Sequence, residues 1–316
     1  MKDFAGKTAV ITGGGTGMGR ELALQLVAEG CNVAMCDVSA DNMAETKRRC
    51  QASAPQGTRV ATYVADVSIE DQVLAFAKAV TLELDTDKIH LLFNNAGIGG
   101  GGSIVNGDRA QWDKTFNVCW GGVYYCTRAF LPYLMNASEA HIVNTSSVNG
   151  FWASIGPGRP HTAYCAAKFA VKGFTEALMT DLAVNAPHIR CSVVMPGHIG
   201  TEIVANSRLV LSGGAPTIDV AAVRRALTFQ GMDVSKQSDD DIRAFVKMQE
   251  TNFRDNAPMS AAEAATVILD GVKAEKWRIL VGLDAQYLDA QVRAAPENAY
   301  SREFYQDLLK AAQWRL

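Results

Sequence analysis

Tyr164 and Lys168 stand four positions apart in Tyr164-Cys165-Ala166-Ala167-Lys168. On a helix this spacing puts both side chains on one face, one turn apart. A free phenol titrates near roughly 10, too high for a base at neutral pH. A neighbouring ammonium favours the phenolate and lowers that value. Such a pair can take a proton from an alcohol or give one to a ketone. A tyrosine packed on a lysine stem has the same spacing, so the chemistry depends on what else the chain brings to the pair.

The flanking elements supply it. Thr8 to Thr12 reads as an apolar strand, followed by the glycine run from Gly13 to Gly19 and a helix over Arg20 to Glu29 that ends at Gly30. Strand, glycine turn, helix is the setting in which glycines cradle a dinucleotide pyrophosphate on free N–H groups. The spacing is T-G-x-x-x-G-x-G through Thr12, Gly13, Gly17 and Gly19, with Thr16 and Met18 inside it. Asn32 to Cys36 reads as a second strand that Asp37 ends. A carboxylate there accepts from ribose hydroxyls and repels a 2′-phosphate. Val38 follows it and Thr16 is not basic, so the pattern favours NAD over NADP.

Further strands are expected at Val60–Ala65, Ile89–Phe93, His141–Thr145, Arg190–Met195 and Trp277–Val281, with helices over Ile69–Leu84, Ala110–Met135 and 162–184. Strands alternating with helices imply right-handed βαβ units, a parallel sheet and a ligand at the carboxyl ends of the strands. Asp37, Asp66-Val67, Asn95 and Gly97 fall at such ends. Asn117 lies inside the long helix, where a poor helix former suggests a polar role. Ser146-Ser147 follows strand five, and Pro196-Gly197-His198-Ile199-Gly200-Thr201 follows strand six. Over 202–258 no strand pattern remains. Two amphipathic pieces, Val220–Phe229 and Asp239–Phe253, suggest a helical lid. Ser260 and Glu263 form a capping box for a helix reaching Lys273, and 284–316 reads as two amphipathic tail helices. Phe151 and Trp152, close behind Ser147, are expected to line an apolar substrate pocket, together with lid residues such as Val204 and Leu209.

The chain has 316 residues, a net charge of −3 and 48% hydrophobic residues. This fits one globular domain over 1–316 and gives no electrostatic case for nucleic acid. The sequence suggests neither a signal peptide nor a membrane span. Seven scattered cysteines without a C-x-x-C pair fit reduced thiols, a cytoplasmic location and no metal site.

Taken in order, Thr12-Gly13-x-x-x-Gly17-x-Gly19, Asn94-Asn95-Ala96-Gly97, Ser147, Tyr164-x-x-x-Lys168 and Pro196-Gly197 resemble the short-chain dehydrogenase/reductase family, closely over about residues 4–202. The resemblance implies a Rossmann-like α/β fold with a doubly wound, seven-stranded parallel sheet and an Asn117, Ser147, Tyr164, Lys168 catalytic set. Tyr164 would be the acid/base and Lys168 would hold the nicotinamide ribose and lower the tyrosine pKa. Ser147 would bind the substrate oxygen, and Asn117 would support a water relay to Lys168. Ile199 and Thr201 would contact the carboxamide, Asp37 the adenosine ribose and Asp66-Val67 the adenine. A homodimer or homotetramer through the helix faces at 110–135 and 162–184 is also implied. Ser147 precedes Tyr164 by 17 positions rather than the family's dozen or so, because Gly156 to Pro160 looks inserted. The expected activity is NAD-dependent hydride transfer to or from a bulky, hydrophobic or aromatic secondary alcohol or ketone. The alternatives are an NAD-sensing binding protein that has lost catalysis and an NAD-dependent sugar-nucleotide epimerase or dehydratase.

Overall fold

The structure is a computed structural model that describes residues 1–215, 218–229 and 231–311, without the Phe229 side chain. Parts of the expected lid (216, 217 and 230) and the end of the tail (312–316) lie outside these residues. The elements run β1 (Thr8–Thr12), α1 (Gly17–Ala28), β2 (Asn32–Asp37), α2 (Ala40–Ser53), β3 (Val60–Val64), α3 (Glu70–Glu83) and β4 (Leu91–Asn94). They continue through α4 (Arg109–Phe116), α5 (Gly122–Met135), β5 (Ala140–Thr145), α6 (Thr162–Asn185), β6 (Ile189–Pro196) and β7 (Ile199–Gly200). The lid and tail contain α7 (Ile203–Leu211), α8 (Val220–Phe229), α9 (Asp239–Asp255), β8 (Met259–Ser260), α10 (Ala261–Lys273), β9 (Arg278–Val281), α11 (Leu283–Ala294) and α12 (Arg302–Ala311).

Seven strands form one parallel sheet in the order β3-β2-β1-β4-β5-β6-β9. The order reverses between β1 and β4, and a ligand crevice opens at such a switch point. Strands β1, β4 and β5 are buried along their whole length, as a sheet covered on both faces requires. Leu22, Leu26, Ile268 and Leu269 cover one face; Phe76, Phe130 and Leu134 cover the other. A third cluster gathers Trp152, Leu288 and Leu308 under the tail, and a fourth holds the lid helices together through Val220, Leu227 and Ile242.

The expected strands all form. Three expectations need correction. The helix over Ala110–Met135 is two helices joined by a π-helical turn at 117–121. The turn ends where Gly122 meets Val67: a Cβ on Gly122 would stand 2.6 Å from Val67 Cγ2. The segment 202–258 holds three helices, because α7 starts directly after the short β7–β8 pairing. A helix absent from the sequence reading, α2, crosses between β2 and β3, its N-terminus capped by the Ser39 side chain accepting from Asn42 N. The predicted box at α10 forms, with Ser260 Oγ accepting from Glu263 N and Glu263 Oε2 from Ser260 N.

Candidate active site

The carboxyl ends of β1, β2 and β4 open onto a groove lined by the glycine turn, Asp37, Asp66, Val67, Asn95, Gly97 and Thr201. The turn is shaped by contacts that only glycine permits. Gly13 has φ +67°, and a Cβ there would stand 2.9 Å from Ala96 Cα. A Cβ on Gly19 would stand 2.0 Å from the Gly13 carbonyl oxygen, so the first turn of α1 packs directly on the loop. Thr16 caps α1 without a side-chain bond to the helix backbone, and no acidic residue lies in its first turn. The helix start therefore keeps N–H groups and its positive dipole end for an anion.

Asp37 is fixed at the adenosine end. Its two oxygens accept from Gly15 N and Ser39 N, both at 3.0 Å. Among the described lining residues beside it are Val38, Ser39 and Asn42, and none in the groove is a lysine or arginine. Burial raises the Asp66 pKa, but hydrogen bonds from Lys114 and Ser68 outweigh it and hold that carboxyl below its ordinary value. Thr12 and Asn95 build the switch point itself. Thr12 Oγ1 accepts from Asn95 N and Ala96 N at 3.0 Å each, and Asn95 Nδ2 donates to the Thr12 carbonyl at 3.1 Å. A dinucleotide fits this donor set: unfilled N–H groups for phosphate, a fixed carboxylate for ribose hydroxyls.

The acid–base pair lies behind Gly97, one of the residues lining the groove. Tyr164 and Lys168 share one face of α6, with Lys168 Nζ 5.4 Å from the Tyr164 ring centre. Lys168 is 2% exposed and donates to the Thr145 carbonyl at 2.9 Å. Ser147 acts on Tyr164 and lowers its pKa, whereas Ser146 Oγ donates to the Lys168 carbonyl at 2.7 Å and ties α6 to the end of β5. This separates two neighbouring serines into one facing the tyrosine and one holding the scaffold. Burial raises the Tyr164 pKa, with a smaller push from Cys119, and Ser147 lowers it only in part. Burial also lowers the Lys168 ammonium. In the protein alone desolvation outweighs any effect of the neighbouring cation, and both groups are driven toward their neutral forms.

These elements coincide with a family match, since residues 7–210 fit the short chain dehydrogenase family model. The chain belongs to the short-chain dehydrogenases. A Mycobacterium tuberculosis protein, the putative oxidoreductase SadH, is 33% identical over 293 residues, which cover 93% of this chain and 92% of that protein. A short-chain dehydrogenase/reductase from Burkholderia phymatum, solved with NAD, superposes with a TM-score of 0.75 at 29% identity, over 94% of this chain and 95% of that one. A metagenomic short-chain oxidoreductase solved with NADP gives a TM-score of 0.54 at 26% identity, over 78% and 91%.

Within this short-chain dehydrogenase some expected site residues fall elsewhere. Asn117 starts the π turn and is exposed. Two positions on, Cys119 is buried beside the pair: a Cβ on Gly97 would stand 3.4 Å from Lys168 Nζ and 3.8 Å from Cys119 Sγ. Cys119 Sγ donates to the Ile98 carbonyl at 3.2 Å. The side chain facing Lys168 from this helix is therefore a thiol, not an amide. Trp152 is 1% exposed and its Nε1 donates to the Ala299 carbonyl at 2.6 Å, so it anchors the tail instead of lining the groove. Phe151 packs in the same cluster, with the Arg278 guanidinium 5.5 Å from its ring centre. Pro196 is buried and the Ile199 side chain joins the core, which leaves Thr201 as the member of that motif lining the groove.

Residues from α7 complete the groove: Leu209, expected from the sequence as a lid residue, lines it, whereas two polar residues of the helix were not anticipated. Asn206 Nδ2 donates to Thr16 Oγ1 at 2.9 Å, and Ser207 Oγ accepts from Gly99 N at 2.8 Å. The helix thus spans from the glycine turn to the loop after β4. His161, at the start of α6, packs against Tyr164 with ring centres 4.7 Å apart. A hydrophobic pattern gave no signal for either, because both are polar residues placed by long-range contacts.

Proposed function

We propose that this protein is an NAD-dependent alcohol dehydrogenase or ketoreductase acting on bulky, apolar secondary alcohols and ketones. Residues 1–316 would act as one catalytic unit, with 202–258 as its substrate lid and 284–316 as a supporting extension. The observation that carries the reading is Ser147 beside Tyr164 and buried Lys168, immediately behind Gly97 of a groove whose lining also includes Asp37.

The glycine turn and the start of α1 would hold the diphosphate, Asp37 the adenosine ribose, Asp66-Val67 the adenine, and Lys168 with Thr201 the nicotinamide end. Bound there, NAD supplies the hydride acceptor or donor at nicotinamide C4. The chain's own residues manage the proton. Tyr164 takes it from the alcohol hydroxyl in oxidation and returns it to the ketone oxygen in reduction. Ser147 donates to the same oxygen and stabilises charge as it develops. Lys168, as the nearby cation, favours the phenolate against the desolvation that raises the Tyr164 pKa. Asp37 favours NAD because a 2′-phosphate would meet a carboxylate already fixed by two N–H groups, with no lining cation to compensate.

The test is absorbance at the NADH band with purified protein, NAD and a panel of aromatic and alicyclic secondary alcohols. NADH should form with NAD, and NADPH at a lower rate with NADP. Retained NAD with no NADH from any alcohol would sink the reading.

A further inference from the structure

Ser147, Lys168, Cys119 and His161 stand near Tyr164. Ser147 Oγ accepts from Asn149 N, Lys168 donates to the Thr145 carbonyl, and Cys119 donates to the Ile98 carbonyl. Among the described residues His161 differs from these three. Its backbone carbonyl accepts from Cys165 N, yet its side chain makes no capping bond at the start of α6, and burial alone accounts for a pKa pushed down to about 4. The imidazole is therefore neutral at physiological pH, with one nitrogen able to donate and one able to accept.

Its position is fixed. Thr162 N and Ala163 N donate to the Gly102 and Gly101 carbonyls at 2.9 and 3.1 Å, and Trp112 Nε1 donates to Thr162 Oγ1 at 3.0 Å. These bonds tie the start of α6 to the glycine loop that follows β4. The ring packs tilted against Tyr164, 31° between planes, and a Cβ on Gly99 would lie 3.9 Å from its Cε1 and 3.8 Å from Ser207 Oγ. His161 thus lies between the tyrosine, the glycine loop and α7. Among the described residues no side-chain hydrogen bond reaches this half-buried ring, and such a ring loses stability unless a ligand or water completes its bonds. A molecule whose reacting oxygen sits between Ser147 and Tyr164 would bring its neighbouring atoms to this ring.

We propose that His161 is a specificity-determining residue that hydrogen-bonds a second oxygen of the substrate, close to the reacting carbon, so that the preferred substrates are hydroxy ketones, diketones or the corresponding diols. This rests on the dehydrogenase reading above and narrows its substrate class.

The test compares NADH-dependent reduction of benzoin and of deoxybenzoin, which lacks the hydroxyl, by the parent, His161→Phe and His161→Gln. The parent should reduce benzoin with the higher kcat/KM. His161→Phe keeps a ring on Tyr164 and should lower the benzoin advantage by about tenfold, the scale of one neutral hydrogen bond, mainly through KM. His161→Gln should recover part of it. The proposal is overturned by a parent that reduces deoxybenzoin at least as well, or reduces neither while reducing other ketones. Equal losses on both ketones in His161→Phe also overturn it, because a packing or proton-transfer role would produce them. A parent inactive on every ketone overturns the dehydrogenase reading itself, and this inference with it.

Discussion

The two ends of the site are built by different means. At the cofactor end, contacts run between backbone groups and short side chains at adjacent strand ends: Thr12 to Asn95, Asp37 to Gly15, Gly13 against Ala96. Little there depends on a large side chain. At the substrate end, the loop between Ser147 and Tyr164 is held from far along the chain. Trp152 bonds the Ala299 carbonyl, Ala153 N donates to Tyr300 Oη at 3.2 Å, and a Cβ on Gly156 would stand 2.5 Å from the Tyr305 ring. Asn149 joins that loop to the active serine: its N donates to Ser147 Oγ, and its Nδ2 donates to the Trp152 and Ser154 carbonyls. The first end is a rigid property of the sheet. The second is assembled by the tail, through Ala299, Tyr300 and Tyr305.

This contrast can be broken by substitution at each end. Trp152→Ala would remove the largest fully buried side chain at the substrate end, and should cost about 3–5 kcal/mol of stability by denaturant titration. A loss under about 1 kcal/mol would mean that the tail rests on the loop without anchoring it. Asp37→Arg should move the ratio of NADP to NAD kcat/KM upward by about tenfold or more, since it trades a repelled 2′-phosphate for a paired one. An unchanged ratio would detach cofactor choice from the end of β2. The smallest effect is expected at Asn117. Its exposure predicts that Asn117→Ala shifts kcat by no more than about twofold, the range of surface substitutions. A tenfold fall would restore it to the acid–base machinery and contradict the placement of Cys119 there.

The same contrast explains what could be read from the sequence. The strands, the glycine turn, Asp37 and the Tyr164–Lys168 face follow from local pattern: apolar runs, glycine spacing and helical periodicity. Their contacts link neighbouring strand ends, so local reading suffices. The exposure of Asn117 is not legible in the sequence because the π turn at 117–121 interrupts the helix, and periodicity assumes a regular one. Phe151 and Trp152 were assigned to the pocket because they follow Ser147 in sequence, but their burial is decided by α11 and α12 some 140 residues later. The α7 contacts to Thr16 and Gly99 and the packing of His161 against Tyr164 are likewise tertiary. The pKa balance of Tyr164 in the protein alone is not legible for a related reason: spacing reports the cation next door, whereas burial, which outweighs it, is set by the whole fold.

The most direct measurement is the rate of NADH formation from NAD and the best secondary alcohol, for the parent beside Tyr164→Phe. With Tyr164 as the acid/base, the substitution should lower kcat by at least about 10²-fold, the low end of general acid–base contributions. A Tyr164→Phe protein that turns over at near-parental rate would contradict the account, and the proton would then have to move through another group.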